Sequence, residues 1–308
     1  MSNKFISWLV FILLCFIWGS SFILMQYSKY DLTASQIASV RIFSAGLVFL
    51  PFAIFHIAKI PRNKLGLVLV AGIFGNLLPA YLFATAIVKI DSSLAGILNS
   101  LTPVCVVIIA ALFFKDRIRS EKIVGVLVGF GGLLLLTFLP VLLNQKDISS
   151  ANIGYSFLIV LATISYGANV NMVGHYLKGL KPVQIATVSL AFLTIPTAIV
   201  LWQDGFLKLD FANTDVRRAI LASATLGIAG SAIATVLFYI LVQKAGGLFA
   251  SLVTYGIPFV ALFWGFIFHE RITWIRIVCL GIILIGVYLA NRPDRSGDKS
   301  RESEAGKR

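Results

Sequence analysis

Long neutral apolar stretches, separated by short charged connectors, run the length of this chain. Residues 5–28 carry no charge, nor do 65–88, 92–114, 123–145, 148–177, 182–203, 219–243, 245–269 and 277–291; residues 32–58 carry one, Arg41. A helix crossing the hydrocarbon core of a bilayer needs about 20 mostly apolar residues. The pattern therefore predicts an all-α integral membrane protein with ten transmembrane helices and short connectors.

Composition removes the soluble alternative. Of the 308 residues, 58% are apolar and 13% charged, against roughly 25% charged in soluble domains. The net charge of +13 would suggest nucleic acid if the basic residues formed one face, but they follow the connectors. With a cytoplasmic N-terminus, the inside segments hold 17 Lys and Arg and the outside segments eight. That is the positive-inside bias of a cell (inner) membrane protein with both termini cytoplasmic. The charge sets topology, so the expected partners are the lipid bilayer and a small-molecule substrate, with no nucleic acid, in a monomer or homodimer. The first span is too long for the apolar region of a cleaved signal peptide. Cys15, Cys105 and Cys279 lie inside spans without metal-ligand spacing, so neither a disulfide framework nor a metal site is expected. Residues 293–308, polar and without aromatics, read as a disordered cytoplasmic tail.

The chain also pairs with itself at an offset of about 150 residues. Gln36-Ile37-Ala38-Ser39-Val40 recurs as Gln184-Ile185-Ala186-Thr187-Val188, and Gly72-Ile73-Phe74-Gly75 as Gly227-Ile228-Ala229-Gly230. Trp18-Gly19 corresponds to Tyr166-Gly167, Ala95 and Pro103 to Ala250 and Pro258, and Asp116-Arg117-Ile118 to Glu270-Arg271-Ile272. The repeats divide the chain into 1–148 and 149–292, with five spans each. Five is odd, so the second half enters the membrane from the opposite side and the two five-helix repeats are inverted. Such a pair can open alternately to either side of a site near the midplane, as secondary transporters do. Pro103 and Pro258, at matching depths of spans 4 and 9, free backbone carbonyls and mark candidate gating helices; static packing kinks are the equal alternative.

These residues, WGSSF in span 1, Arg41 in span 2, the prolines of spans 4 and 9 and the acidic-Arg-Ile turns after them, resemble the drug/metabolite transporter superfamily, EamA type. The resemblance covers about residues 5–292 as two EamA repeats. It implies a secondary transporter, often an exporter of amino acids or related metabolites, with a central cavity between the halves and no cofactor. One departure stands out: the partner of Arg41 in the second repeat is Ser189, so the polar interior is not symmetric.

A charge at membrane depth costs on the order of 2.5–3.5 kcal/mol and turns toward a cavity or a partner. Arg41 lies about eight residues into its span, and no acidic residue occurs at comparable depth. It reads as an anchor for a substrate carboxylate, or as a structural arginine reaching outward. Asn76, Asn99 and Asn169 need hydrogen-bond partners at depth. Asn99 and its repeat-mate Thr254, with Tyr255 beside it, lie four residues before the prolines and are the stronger cavity candidates. Trp18, Tyr81, Tyr166 and Trp264 complete the candidate walls. No enzyme is expected: His56, His175 and His269 are scattered, and no Walker, HExxH or paired-carboxylate motif is present. Every Asp and Glu borders a connector, and His175 lies near the end of span 6. That pattern suggests transport driven by the substrate's own gradient, with weak coupling through His175 or an edge acid as the alternative. Drug-like or lipid-like amphiphiles, or a receptor or channel, are the other functions these spans allow.

Overall fold

A computed structural model describes residues 3–90, 92–116, 118–142, 153–267 and 274–290. Among these the regular structure is helical throughout, in ten spans. The first five are α1 (Asn3–Ser28), α2 (Ala34–Ile57), α3 (Arg62–Ile87), α4 in two pieces, α4a (Ser92–Asn99) and α4b (Thr102–Phe113), and α5 (Ser120–Leu142). The second five are α6 (Ile153–His175), α7 (Pro182–Gln203), α8 (Thr214–Ala245), α9 as α9a (Gly247–Ser251) and α9b (Val253–Ile267), and α10 (Trp274–Ala290). The predicted tail and the connectors 143–152 and 268–273 lie outside the described residues.

Among the described residues, six continuous helices are long and apolar enough to cross a membrane. They show large apolar side chains outward, among them Ile12, Ile54, Phe55, Ile195 and Leu221 at 65–76% exposure. A surface of that kind is stable only against lipid.

Packing follows the repeat. α2 lies along its mate α7, and α5 along its mate α10; α1 packs on α9b as α6 packs on α4b, and α8 on α1 as α3 on α6. Each contact thus has a partner under the pseudo-two-fold, as inverted halves require. Local sequence repeats as well. Gln36 Oε1 accepts from the Thr33 backbone N–H at 3.0 Å, and Gln184 Oε1 from the Lys181 N–H at 2.9 Å. Each glutamine satisfies one orphan donor at its helix start, which gives the recurring QIA motif a local structural role. α5 and α10 approach closely because Gly125 and Gly286 leave room for the opposing backbone at Ala290 and Gly129.

The breaks in α4 and α9 differ from the pattern the prolines suggest. α4 is interrupted at Ser100–Leu101, and Pro103 stands in the first turn of α4b, where a missing N–H costs little. The Asn99 carbonyl, one turn before that proline, accepts from Thr102 Oγ1 at 2.6 Å. α9 is interrupted at Leu252, six residues before Pro258. There the Ser251 carbonyl accepts from Thr254 Oγ1 at 3.0 Å. A threonine hydroxyl covers a carbonyl at each break, while the two prolines hold different places relative to it. Pro258 lies within α9b, and its side chain is outside the described residues.

Candidate functional site

Helices α3 and α8 each contain a π-helical segment at the same repeat position, Ile73–Leu77 and Leu226–Ile233. Single π turns inside α-helices widen the helix and are frequent at functional sites. The recurring glycines lie within these segments, except Gly72, which directly precedes the first. A Cβ on Gly72 would lie 2.8 Å from the Ser189 Cβ, and one on Gly227 would run into the Arg41 carbonyl. Hydrogen at these positions lets α7 and α2 rest directly on α3 and α8. That close approach presents Asn76, and its repeat-mate Ser231, to the space between the halves.

Between the repeats lies a cavity offering about 80 Å³ to the centres of water molecules. Arg41 enters it from α2. Its Nε donates to Ser231 Oγ at 2.8 Å, and the guanidinium lies beside the Tyr166 hydroxyl. Among the described residues no carboxylate pairs with it. Around it, Asn76 Oδ1 accepts from Thr235 Oγ1 at 2.8 Å, and Asn169 Oδ1 from the Tyr239 hydroxyl at 3.4 Å. Two buried polar atoms on residues of this lining have no protein partner, Asn76 Nδ2 and Asn99 Oδ1. An unmet buried donor or acceptor costs about 1–3 kcal/mol. The cavity therefore offers a cation, and two residues of its lining keep an unmet donor and an unmet acceptor. Trp18, Phe83, Phe238 and Tyr239 supply aromatic wall, with Trp18 Nε1 donating to the Gly230 carbonyl at 3.0 Å and its ring 5.3 Å from that of Phe238.

Of the residues singled out from sequence, Trp18, Arg41, Asn76, Asn99, Tyr166, Asn169 and Thr254 line this cavity. Tyr81 and Tyr255 are absent from the lining. The Tyr81 hydroxyl pairs with Ser39 Oγ at 2.5 Å, where α3 meets α2. Tyr255 is fully buried and donates to the Val126 carbonyl at 2.8 Å, its ring against Gly129 of α5. In both cases the helix is rotated so that the tyrosine reaches a neighbouring helix rather than the centre. Pro103 is also absent from the lining, and the side chain of Trp264 lies outside the described residues. Sequence reasoning passed over Ser21, Ser231, Thr235, Phe238 and Tyr239. The repeat held the signal for three of them: Ser21 is the mate of Asn169, Ser231 of Asn76 and Phe238 of Phe83.

Met25 and Phe83 of this lining belong to one apolar cluster with Ile87, Ile159 and Leu226.

A profile of the EamA-like transporter family matches residues 5–138 and again 153–292. The chain belongs to the EamA-like transporter family. As an EamA-type protein it resembles an uncharacterized transporter of Archaeoglobus fulgidus, 25% identical over 92% of this chain and 98% of the relative. An uncharacterized transporter of Synechocystis is 26% identical, over 91% of this chain and 88% of its own length. A chloroplastic WAT1-related protein of Arabidopsis thaliana is 23% identical over 95% of this chain and 71% of that protein. One solved structure, titled only as the crystal structure of a protein, superposes with a TM-score of 0.69 at 14% identity, covering 94% of this chain and 97% of that one. Its likeness speaks to the fold alone. The family and the relatives make this EamA protein a multi-pass membrane transporter.

Proposed function

We propose that the protein exports a small polar metabolite bearing a carboxylate, an amino acid or a related acid, across the inner membrane by alternating access between the two repeats. The observation that carries this reading is Arg41: a cation at membrane depth, fixed through Nε by Ser231, its remaining donors facing a cavity, with no carboxylate partner among the described residues. A carboxylate ligand offsets the cost of that charge, and guanidinium meets carboxylate in a two-pronged geometry. Asn76 Nδ2 and Asn99 Oδ1 suit an acceptor and a donor on the same ligand, such as the second polar group of an amino acid. The repeats 1–148 and 149–292 are the moving halves, both termini face the cytoplasm, and the substrate's own gradient drives the cycle.

The aromatic walls support a second reading, an amphiphile held by its apolar body. A screen of metabolite efflux and uptake in proteoliposomes separates the two. Arg41→Gln removes charge-assisted hydrogen bonds worth about 1.5–3 kcal/mol, and is expected to weaken carboxylate substrates roughly tenfold to a hundredfold while sparing neutral ones. Equal loss for both classes returns Arg41 to a structural role.

A further inference from the structure

At the end of the bundle that carries the N-terminus, a second and wider cavity of about 690 Å³ opens among α4b, α6, α8 and α9a. Its inner wall, at Val106, Val170 and Gly247, lies about one helical turn from Thr102, Asn169 and Ser251 of the central cavity. The wall is tight: a Cβ on Gly247 would come within 2.6 Å of Val170 Cγ1. Asn171 Nδ2 pins α6 to α4b across it, donating to the Val106 carbonyl at 3.0 Å. α4b and α6 thus run from the central cavity to the rim of this vestibule.

At the rim, His175 ends α6 and Asp116 follows α4b. Lys115 takes a left-handed φ of 55°, turning the chain so that the Asp116 N–H donates back to the Ala110 carbonyl at 3.1 Å. His175 Nδ1 is 2.9 Å from the Asn171 carbonyl, and Nε2 is 3.1 Å from Asp116 Oδ2 and 3.2 Å from Oδ1. A carbonyl only accepts, so Nδ1 must carry a proton and donate. In a neutral ring Nε2 would then present a lone pair to a carboxylate, which has only lone pairs to return. The contact becomes a hydrogen bond when one further proton is bound. The Phe114 ring packs on the imidazole, 4.3 Å away and inclined by 32°.

We propose that His175 and Asp116 form a proton-binding latch: one proton ties α4b to α6 at the vestibule rim, and its release lets the two helices part. The other charges facing the pair are Arg119 and Lys122 from the start of α5, and Lys178 after α6. Lys64 of α3 approaches the same corner, its Nζ donating to the Lys178 carbonyl at 3.5 Å, while Arg119 is held by Glu121 at 3.0 Å. α8 and α9a contribute Gln243, Leu248 and Phe249, which carry no charge. Arg117 lies outside the described residues. Asp116 is the carboxylate in contact with the imidazole, so the latch depends on it.

The proton enters and leaves by one face. The pair is partly exposed at the vestibule. The repeat-mate of His175 is Tyr27, so the pair is not duplicated at the matching position of the first repeat. The latch therefore makes the opening of this end respond to the pH on its own side.

The test uses the full chain in lipid nanodiscs, with spin labels on Leu112→Cys of α4b and Lys178→Cys after α6, Cys105→Ala, and Cys15 and Cys279 left in their buried positions. Electron–electron resonance distances are read at about pH 5.5 and pH 8, which bracket imidazole titration in general. The expected result is a rise of about two- to fivefold in the separated population at the higher pH, the range for a partly exposed ion pair. His175→Gln and Asp116→Asn should remove the pH response, and His175→Lys should hold the closed population at both values. An unchanging distance in the unsubstituted pair, or a response that persists in His175→Gln, overturns the latch. If His175→Gln does not yield monodisperse protein, Asp116→Asn and His175→Lys decide the same question. No substrate is needed, so failure here is separate from failure of the carboxylate reading.

Discussion

Where α2 crosses α8, the Arg41 carbonyl rests on Gly227; where α7 crosses α3, Ser189 rests on Gly72. The two crossings are mates under the pseudo-two-fold, built on the same π-helical segments and the same missing Cβ. They end in different chemistry. Arg41 reaches the cavity, half-buried, and binds Ser231. Ser189 is fully buried and donates to the Ala186 carbonyl of its own helix at 3.2 Å. The backbone geometry is common property of the repeat and serves the fold, because two helices cannot approach that closely over a side chain. The divergence of this side-chain pair puts the cavity's cation on one side of the pseudo-two-fold.

The most damaging way to break this comparison is to give the second repeat its own arginine. Ser189→Arg places an unpaired charge and a much longer side chain against α3 with no cavity to receive them. The cost of a buried, uncompensated charge, roughly 3–5 kcal/mol, should abolish the yield of monodisperse protein on size-exclusion chromatography. A well-folded Ser189→Arg protein would mean the two crossings are more alike than their packing shows.

Glycine substitutions sharpen the contrast at the backbone. Gly227→Ala drives a methyl group into the Arg41 carbonyl, which cannot move without moving α2, and should cost about 2–3 kcal/mol in thermal unfolding in detergent. Gly72→Ala meets the Ser189 side chain first and should cost about 1 kcal/mol. Reversal of that order would remove the distinction between a backbone and a side-chain contact.

Ser231→Ala leaves the arginine and removes the acceptor that holds its Nε. One lost hydrogen bond of about 1 kcal/mol should raise the KM for carboxylate substrates roughly fivefold with little effect on kcat. The smallest contrast lies at the helix starts. Gln36 serves its own N-terminus and also donates from Nε2 to the Asp204 carbonyl at 3.1 Å. Gln36→Ala should therefore lower stability by about 1 kcal/mol, and Gln184→Ala by about half as much, near the range for lost helix caps.

The candidate residues themselves show how far a reading along the chain can go. As residues of the cavity lining, Arg41, Asn76 and Asn99 were legible because a charge or an amide at membrane depth has to meet something, and Thr254 as the repeat-mate of Asn99. Tyr81 and Tyr255 were not, because an aromatic residue at depth satisfies its hydroxyl equally well on a neighbouring helix, and helix rotation decides which. Ser231, the partner of Arg41, carries no signal of its own; a serine in an apolar helix commonly bonds within its own turn, and only its position opposite Asn76 in the repeat distinguishes it. The breaks in α4 and α9 were tied to Pro103 and Pro258, yet they are set by where Thr102 and Thr254 can cover a carbonyl and by the helices packed alongside.

The number of spans, their grouping into inverted halves and the presence of one charge at depth follow from the order of residues alone, since hydrocarbon thickness and the cost of burying ions act on composition and spacing. Which polar atoms meet, where two helices stop short, and that His175 faces Asp116 across 59 residues of chain emerge only once the helices are packed. Those outcomes depend on helix rotation and close approach, which fix the distances over which hydrogen bonds exist.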